Sequence, residues 1–102
     1  METIRDNKEL TSKILDALDE WAVTFKVIGF PRETPRYSQL MKHEGKFYLI
    51  STQKSTLMHE IKGLTEEEND FIDEMDYNQR WNEYKEMRTR FLLDNHPTID
   101  VY

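Results

Sequence analysis

Leu10, Ile14, Leu18 and Trp21 recur at spacings of four, four and three, with Lys8, Lys13, Asp16, Asp19 and Glu20 mainly on the opposite side. One apolar stripe of that period predicts a helix over residues 7–22. Asp6 with Glu9 three residues on is the expected start, a capping-box-like pair. The period then changes. Val23, Phe25 and Val27 alternate with Thr24, Lys26 and Ile28, and β-branched and aromatic residues dominate, so a strand is predicted over 23–30. Gly29, Pro31 and Pro35 close it, and the Pro31–Pro35 stretch reads as a stiff loop.

Residues 36–42 and 46–52 flank His43-Glu44-Gly45, and Phe47-Tyr48-Leu49-Ile50 is a strong strand former. A hairpin over 36–52 is predicted, with Gly45 in a left-handed turn position. With residues 23–30 as a third partner, the result is a three-stranded antiparallel sheet covering the first helix. Ser55 or Thr56 can cap a short helix over 56–62, in which Leu57 and Ile61 are four apart and Gly63 fits the end.

The C-terminal part carries two apolar phases. Phe71, Ile72 and Met75 define one; Tyr77, Trp81, Tyr84, Met87 and Phe91 define another. Met75 and Tyr77 lie about 200° apart on a single helix, so one helix cannot serve both phases with one face. Thr65 and Glu68 form an S/T-x-x-E start, and Asp76 with Gln79 is a second cap. Helices are therefore predicted over 66–75 and 77–94. Pro97 stops the last, and the tail from Thr98 to Tyr102 reads as loose or as a short edge strand. The fold class expected is α+β: an N-terminal helix, a small antiparallel sheet of two or three strands, then two or three helices, all in one domain over 1–102.

Composition narrows the function classes. Charged residues make up 33% and apolar ones 37% of 102 residues, which implies a thin core under a heavily charged surface. With no cysteine, disulfides, thiolate metal sites and cysteine nucleophiles are excluded. The longest fully apolar run, Phe47 to Ile50, is too short to span a bilayer. The N-terminus has no apolar segment of the secretory kind, so a cytoplasmic protein is expected, with no membrane association. There is no Gly-rich phosphate loop, no H-E-x-x-H and no G-x-S-x-G. His43, His59 and His96 read as ordinary surface histidines. No catalytic residue, metal site or cofactor is expected, and the chain is not read as an enzyme.

The net charge of −6 hides a bipolar arrangement. Residues 26–54 hold six bases and two acids, whereas residues 55–79 hold eight acids and one base. Seven of the eleven residues from Glu66 to Asp76 are acidic, with no base between Lys62 and Arg80. On a helix, Glu66, Asp70, Asp73 and Asp76 with Tyr77 form one ridge, widened by Glu67, Glu68 and Glu74. Carboxylates about 5–6 Å apart resemble the charge spacing of a nucleic-acid backbone. The functional expectation is a small acidic protein-binding module, an inhibitor or adaptor. It would occupy a basic, nucleic-acid-holding surface of a larger protein through Glu66, Glu67, Asp70, Asp73, Glu74, Asp76, Tyr77 and Trp81. The plainer reading is a solvated helix face with acids favourably placed at its start. The acidic, motif-free style resembles short reading frames of bacteriophages and mobile elements.

Two alternatives compete. The aromatic stripe over 77–91 has a period near 3.5, which suits a helix–helix seam and hence a second copy of the chain as partner, in a structural or assembly role. Local pairs four apart, Trp81 with Lys85, Tyr84 with Arg88 and Glu86 with Arg90, are expected to support that helix. The basic hairpin interleaves Arg36, Lys42, Lys46 and Lys54 with Tyr37, Phe47 and Tyr48, the residue types that bind single-stranded nucleic acid. The acidic net charge argues against nucleic acid as a partner, and lysines on an edge strand also serve to block aggregation.

Overall fold

The computed structural model describes residues 3–27, 38–51 and 58–95. A short 3₁₀ turn, Ile4–Asp6, leads into helix α1, Lys8–Val27. Strands β1 (Ser38–His43) and β2 (Lys46–Ser51) form a hairpin, and β3 (Met58–Glu60) pairs with the other edge of β2. Helices α2 (Glu66–Glu74) and α3 (Tyr77–Asn95) complete the chain. The architecture is α+β: a three-stranded antiparallel sheet in the order β1-β2-β3, with helices before and after it.

The start of α1 differs from the expected one. Asn7, not Asp6, caps it, its Oδ1 accepting from the Leu10 N–H at 3.1 Å. Asp6 instead closes a capping box with Thr3 one turn earlier. That box fixes the 3₁₀ turn and delivers Ile4 into the core with no exposed surface. The stripe Leu10, Ile14, Leu18 and Trp21 is buried as predicted, widened by Ala17 and Ala22.

Residues 23–27 continue α1 rather than forming a strand. Alternation over six residues is a weak signal. Once a helix is nucleated, each added residue gains a backbone hydrogen bond, and strand propensity yields to that context. Residues 28–30 of the predicted strand, the Pro31–Pro35 loop, residues 36–37 of the hairpin, and Pro97 with the tail lie outside the described residues.

The hairpin turns at Glu44 and Gly45, with φ of +50° and +81°. Two successive left-handed residues make the two-residue turn whose twist matches that of the strands. The resulting register sets His43 opposite Lys46 and Leu40 opposite Leu49. Leu40, Phe47 and Leu49 are buried, while Met41, Tyr48 and Ile50 occupy the other face.

The third strand is not the predicted one. Met58–Glu60 is extended where a helix over 56–62 was expected, and the Ile61 N–H donates to the Phe47 carbonyl at 3.1 Å. So short a helix has little stability of its own, whereas the open edge of β2 offers backbone partners at once. Gly63 does take a left-handed φ of +77°, but it serves the turn after β3. The Ser55 and Thr56 caps lie outside the described residues.

The break between α2 and α3 falls where the two apolar phases required it. Thr65 and Glu68 form the predicted capping box at the start of α2, and Met75 ends that helix in an extended conformation. Asp76 Oδ1 then accepts from the N–H groups of Asn78 and Gln79 at 2.8 and 3.2 Å and starts α3. Ile72, Tyr84, Met87, Phe91 and Leu92 join the α1 stripe and the inner sheet residues in one core.

Candidate functional site

At about 100° per residue, Asp73, Glu66, Asp70, Glu74 and Glu67 fall within an arc of about 120° on α2. All five are exposed. The opposite arc holds Ile72, fully buried, with Phe71 and Met75 packed against the core. The core phase therefore fixes which carboxylates reach water, and it gathers them on one side.

Glu68 is the exception and corrects the expected ridge. It lies on the inward side with Phe71 and Ile72 and is only 7% exposed. Its Oε1 accepts from Lys13 Nζ at 2.5 Å and from the Thr65 N–H at 2.9 Å. Burial by itself raises the carboxyl, but the Lys13 ammonium and the hydrogen bonds with Thr65 outweigh it and hold the group below its ordinary value.

Of the remaining ridge residues, Asp73 pairs with Lys42 at 3.1 Å, both being about half exposed. Among the described residues, Glu66, Glu67, Asp70 and Glu74 have no cation within ion-pairing distance. Asp76 is exposed, but its carboxylate caps α3. Tyr77 is 55% exposed, with its hydroxyl 3.4 Å from Gln39 Oε1 and the Arg80 guanidinium 6.0 Å from its ring centroid. Trp81 is only half-buried and takes the Arg88 guanidinium over its ring at 5.5 Å.

The aromatic stripe is largely consumed by the chain's own core. Tyr84 is fully buried, and Met87 and Phe91 are 5% and 8% exposed, which leaves Tyr77 as its open member. One of the expected local pairs, Glu86 with Arg90, is replaced by a long-range one. Glu86 pairs with Arg5 at 3.1 Å, and the Tyr84 hydroxyl shares a 2.5 Å hydrogen bond with the Ser38 hydroxyl.

The described cations of the hairpin are likewise engaged. Lys42 faces Asp73, and Lys46 lies 3.4 Å from Glu60 across the sheet. Tyr48 stands on the outer face with His43 edge-on at 5.9 Å between ring centroids, whereas Phe47 is buried. Arg36, Tyr37 and Lys54 lie outside the described residues.

His59 is bound to Glu20 of α1, Nε2 to Oε2 at 3.0 Å. Among the described residues, no three His, Asp or Glu side chains are grouped to hold a metal ion, and no helix is long and apolar enough to cross a membrane.

Two residues organise buried polar clusters that the sequence pattern did not foresee. Lys13 anchors Glu68, as described. Arg88, 5% exposed, donates from Nη1 to the Ser38 carbonyl at 2.7 Å, while its Nε has no hydrogen-bond partner. Burial lowers the guanidinium below its ordinary value, with Tyr84 acting in the opposite sense. A signal for it existed: Arg88 lies four residues after Tyr84 and four before Leu92, a charge inside the apolar stripe. No protein-family model, curated protein or solved structure matches the chain.

Proposed function

We infer that the chain is a protein-binding module that acts by occupation, presenting the acidic face of α2 to a basic surface on a larger protein. The observation that carries this reading is the set Glu66, Glu67, Asp70 and Glu74: four exposed carboxylates on one side of a helix, without cations of their own among the described residues. Like charges at helical spacing repel one another and cost stability, so an arrangement that leaves them uncompensated favours a use outside the chain. Neutralisation by a partner's lysines and arginines relieves that repulsion. A groove built for a nucleic-acid backbone presents cations at a matching spacing, and occupying it would make the module an inhibitor or adaptor of a nucleic-acid-binding protein.

Asp73 sits at the margin of this surface, shared with Lys42, and Tyr77 supplies an exposed ring beyond the helix break. Self-association through 77–91 has less support, because three of its five side chains are buried in the chain's own core. Nucleic-acid binding by the hairpin has less support as well, since Lys42 and Lys46 already face carboxylates.

The test is co-purification from the native host with mass spectrometry. Binding of the isolated partner is then measured for the wild type and for a variant with Glu67, Asp70, Asp73 and Glu74 changed to Lys. The reading requires a large loss of affinity in the variant and a steep decline with salt in the wild type. Equal affinities, or binding indifferent to ionic strength, would overturn it.

A further inference from the structure

A groove of about 1100 Å³ lies between α1 and α3. Leu15 of α1 and Met87, Phe91 and Leu93 of α3 give it apolar walls. Met87 and Phe91 are nearly buried beneath it, whereas Leu93 is 59% exposed, the most open large apolar side chain among the described residues. Three bases and two acids also line it: Arg5, Lys85 and Arg90 against Glu86 and Asp94. Arg5 and Glu86 face each other at 3.1 Å and cancel. Lys85, Arg90 and Asp94, all exposed, leave a positive excess there, in a chain whose net charge is −6. An open apolar surface with a charged rim is the composition of a docking groove.

The same chain carries a surface of the opposite kind. Glu66, Glu67, Asp70 and Glu74 stand exposed on one arc of α2, and Tyr77, 55% exposed, follows shortly after Glu74. Lys85 and Arg90 are about 7.5 Å apart along the α3 axis, and Asp70 and Glu74 about 6 Å apart along the α2 axis. That difference is within the reach of a lysine or arginine side chain, so two carboxylates of one copy can meet two cations of the next. The Tyr77 ring supplies apolar surface for Leu15 and Leu93. The groove and the acidic arc share no residue, so one molecule can use both.

We propose that the groove between α1 and α3 receives the acidic face of α2 from a second copy of this chain. The inference rests on that face being a docking surface, as proposed above, and adds what covers it when no partner is bound. The contact is head-to-tail, so each added copy presents a fresh groove or a fresh acidic face, and the assembly grows with concentration instead of closing. Opposite charges meet at the contact, while repulsion between chains of net −6 is screened beyond about 10 Å at about 0.1 M salt. A basic partner competes for the same carboxylates and dissolves the assembly. Self-association of this kind holds the acidic face in reserve until that partner is present.

The experiment is sedimentation velocity of the full chain from micromolar to millimolar concentration, at low and at high salt. At low salt the wild type should sediment faster as concentration rises, past the size of a dimer; at high salt it should run as a monomer. Lys85→Gln with Arg90→Gln neutralises the groove, and Glu67→Gln, Asp70→Asn and Glu74→Gln together neutralise the face. All five side chains are exposed, and circular dichroism checks that both variants fold. Each variant should associate at least about tenfold more weakly than the wild type. An equimolar mixture of the two retains one intact groove and one intact face, so it should form a one-to-one pair and nothing larger. A wild type that stays monomeric at millimolar concentration and low salt overturns the proposal without recourse to any variant. So does association that stops at a closed dimer, or a mixture no more associated than its components. No partner enters these measurements, so their failure is distinct from a failure of the partner-binding test above.

Discussion

Lys13 Nζ and Glu68 Oε1 lie 2.5 Å apart and join α1 to the start of α2. The same carboxylate closes the Thr65 capping box, so one oxygen serves a helix cap and a tertiary ion pair together. Glu68→Ala removes both and is expected to cost about 1.5–3 kcal/mol, the range for hydrogen bonds to a charged group. Glu68→Gln keeps an acceptor for Thr65 and should cost less. The folded carboxyl is held below its ordinary value of 4.5, so it binds its proton less readily than the unfolded one. Its contribution is thus complete above the unfolded value and is lost as pH falls through the folded one. Urea unfolding at neutral and acid pH checks this: the gap between wild type and Glu68→Gln should close on acidification. A gap that stays constant shows that the pair contributes nothing.

The turn of the hairpin holds a side chain in a backbone region that suits glycine or asparagine. Glu44 has a φ of +50°, and its side chain only reaches His43 Nε2 at 3.9 Å in the open. A surface contact of that kind contributes little. Glu44→Asn should stabilise the protein by about 1 kcal/mol, because asparagine tolerates the left-handed region better. Glu44→Gly should gain less, since glycine also widens the unfolded ensemble. Denaturation midpoints for Asn, Gly and Ala at this position provide the measurement. If Asn gave no advantage over Ala, the left-handed assignment of residue 44 would be wrong.

Much of the fold could be read from the sequence because its signals were local. The phase jump from Met75 to Tyr77 demanded a break, Thr65 with Glu68 announced a helix, and Gly45 placed the hairpin turn. What escaped was decided at a distance. Residues 23–27 carry strand-like side chains, yet they extend the helix begun at Lys8. Met58–Glu60 is a strand because the edge of β2 lies beside it, and nothing in its own three residues says so. The candidate site was read in the same uneven way. The carboxylates of α2 were all visible, but which one faces inward depended on Phe71 and Ile72. Glu68 shares their side, so its departure from the ridge was implicit in the apolar phase. That Asp73 would meet Lys42 depended on tertiary placement alone.

Tyr84 gives the protein an alkaline limit. Burial pushes its phenol well above the ordinary value of 10.0, despite the opposing effects of its hydrogen bond with Ser38 and the nearby Arg88. The unfolded chain ionises first as pH rises, so stability is complete below 10 and declines above it. Wild type should unfold at alkaline pH more readily than Tyr84→Phe does relative to its own stability at pH 7. At neutral pH, Tyr84→Phe should cost about 1 kcal/mol for the lost hydrogen bond. The check is ultraviolet titration with circular dichroism: phenolate absorbance from Tyr84 must appear together with unfolding, not before it.

Ile4 makes the 3₁₀ turn part of the fold. It has no exposed surface, its N–H donates to Glu83 Oε1 at 2.5 Å, and its carbonyl accepts from the Thr11 hydroxyl at 2.7 Å. Ile4→Ala should therefore destabilise by about 2–5 kcal/mol, as for other large-to-small changes in a core. A chain beginning at Asn7 should lose at least as much, because the Arg5–Glu86 pair and the Thr3–Asp6 box go with it. Equilibrium unfolding settles the matter, and an Ile4→Ala variant within experimental error of wild type would refute the plug.

Asp76 separates charge from architecture. Its Oδ1 accepts the first free N–H groups of α3, a duty that asparagine can perform without the charge. Asp76→Ala should cost about 1 kcal/mol through the lost cap, whereas Asp76→Asn should cost much less. The two substitutions remove the same charge from the acidic face, so they should weaken partner binding alike if that charge is what the partner meets. The geometry favours the other result. With its oxygen turned to the start of α3, Asp76 should matter for stability, and Asp76→Asn should bind the partner almost as tightly as wild type. Paired unfolding and affinity measurements on both variants decide it: a large affinity loss in Asp76→Asn, with stability intact, would return Asp76 to the contact surface formed by Glu66, Glu67, Asp70 and Glu74.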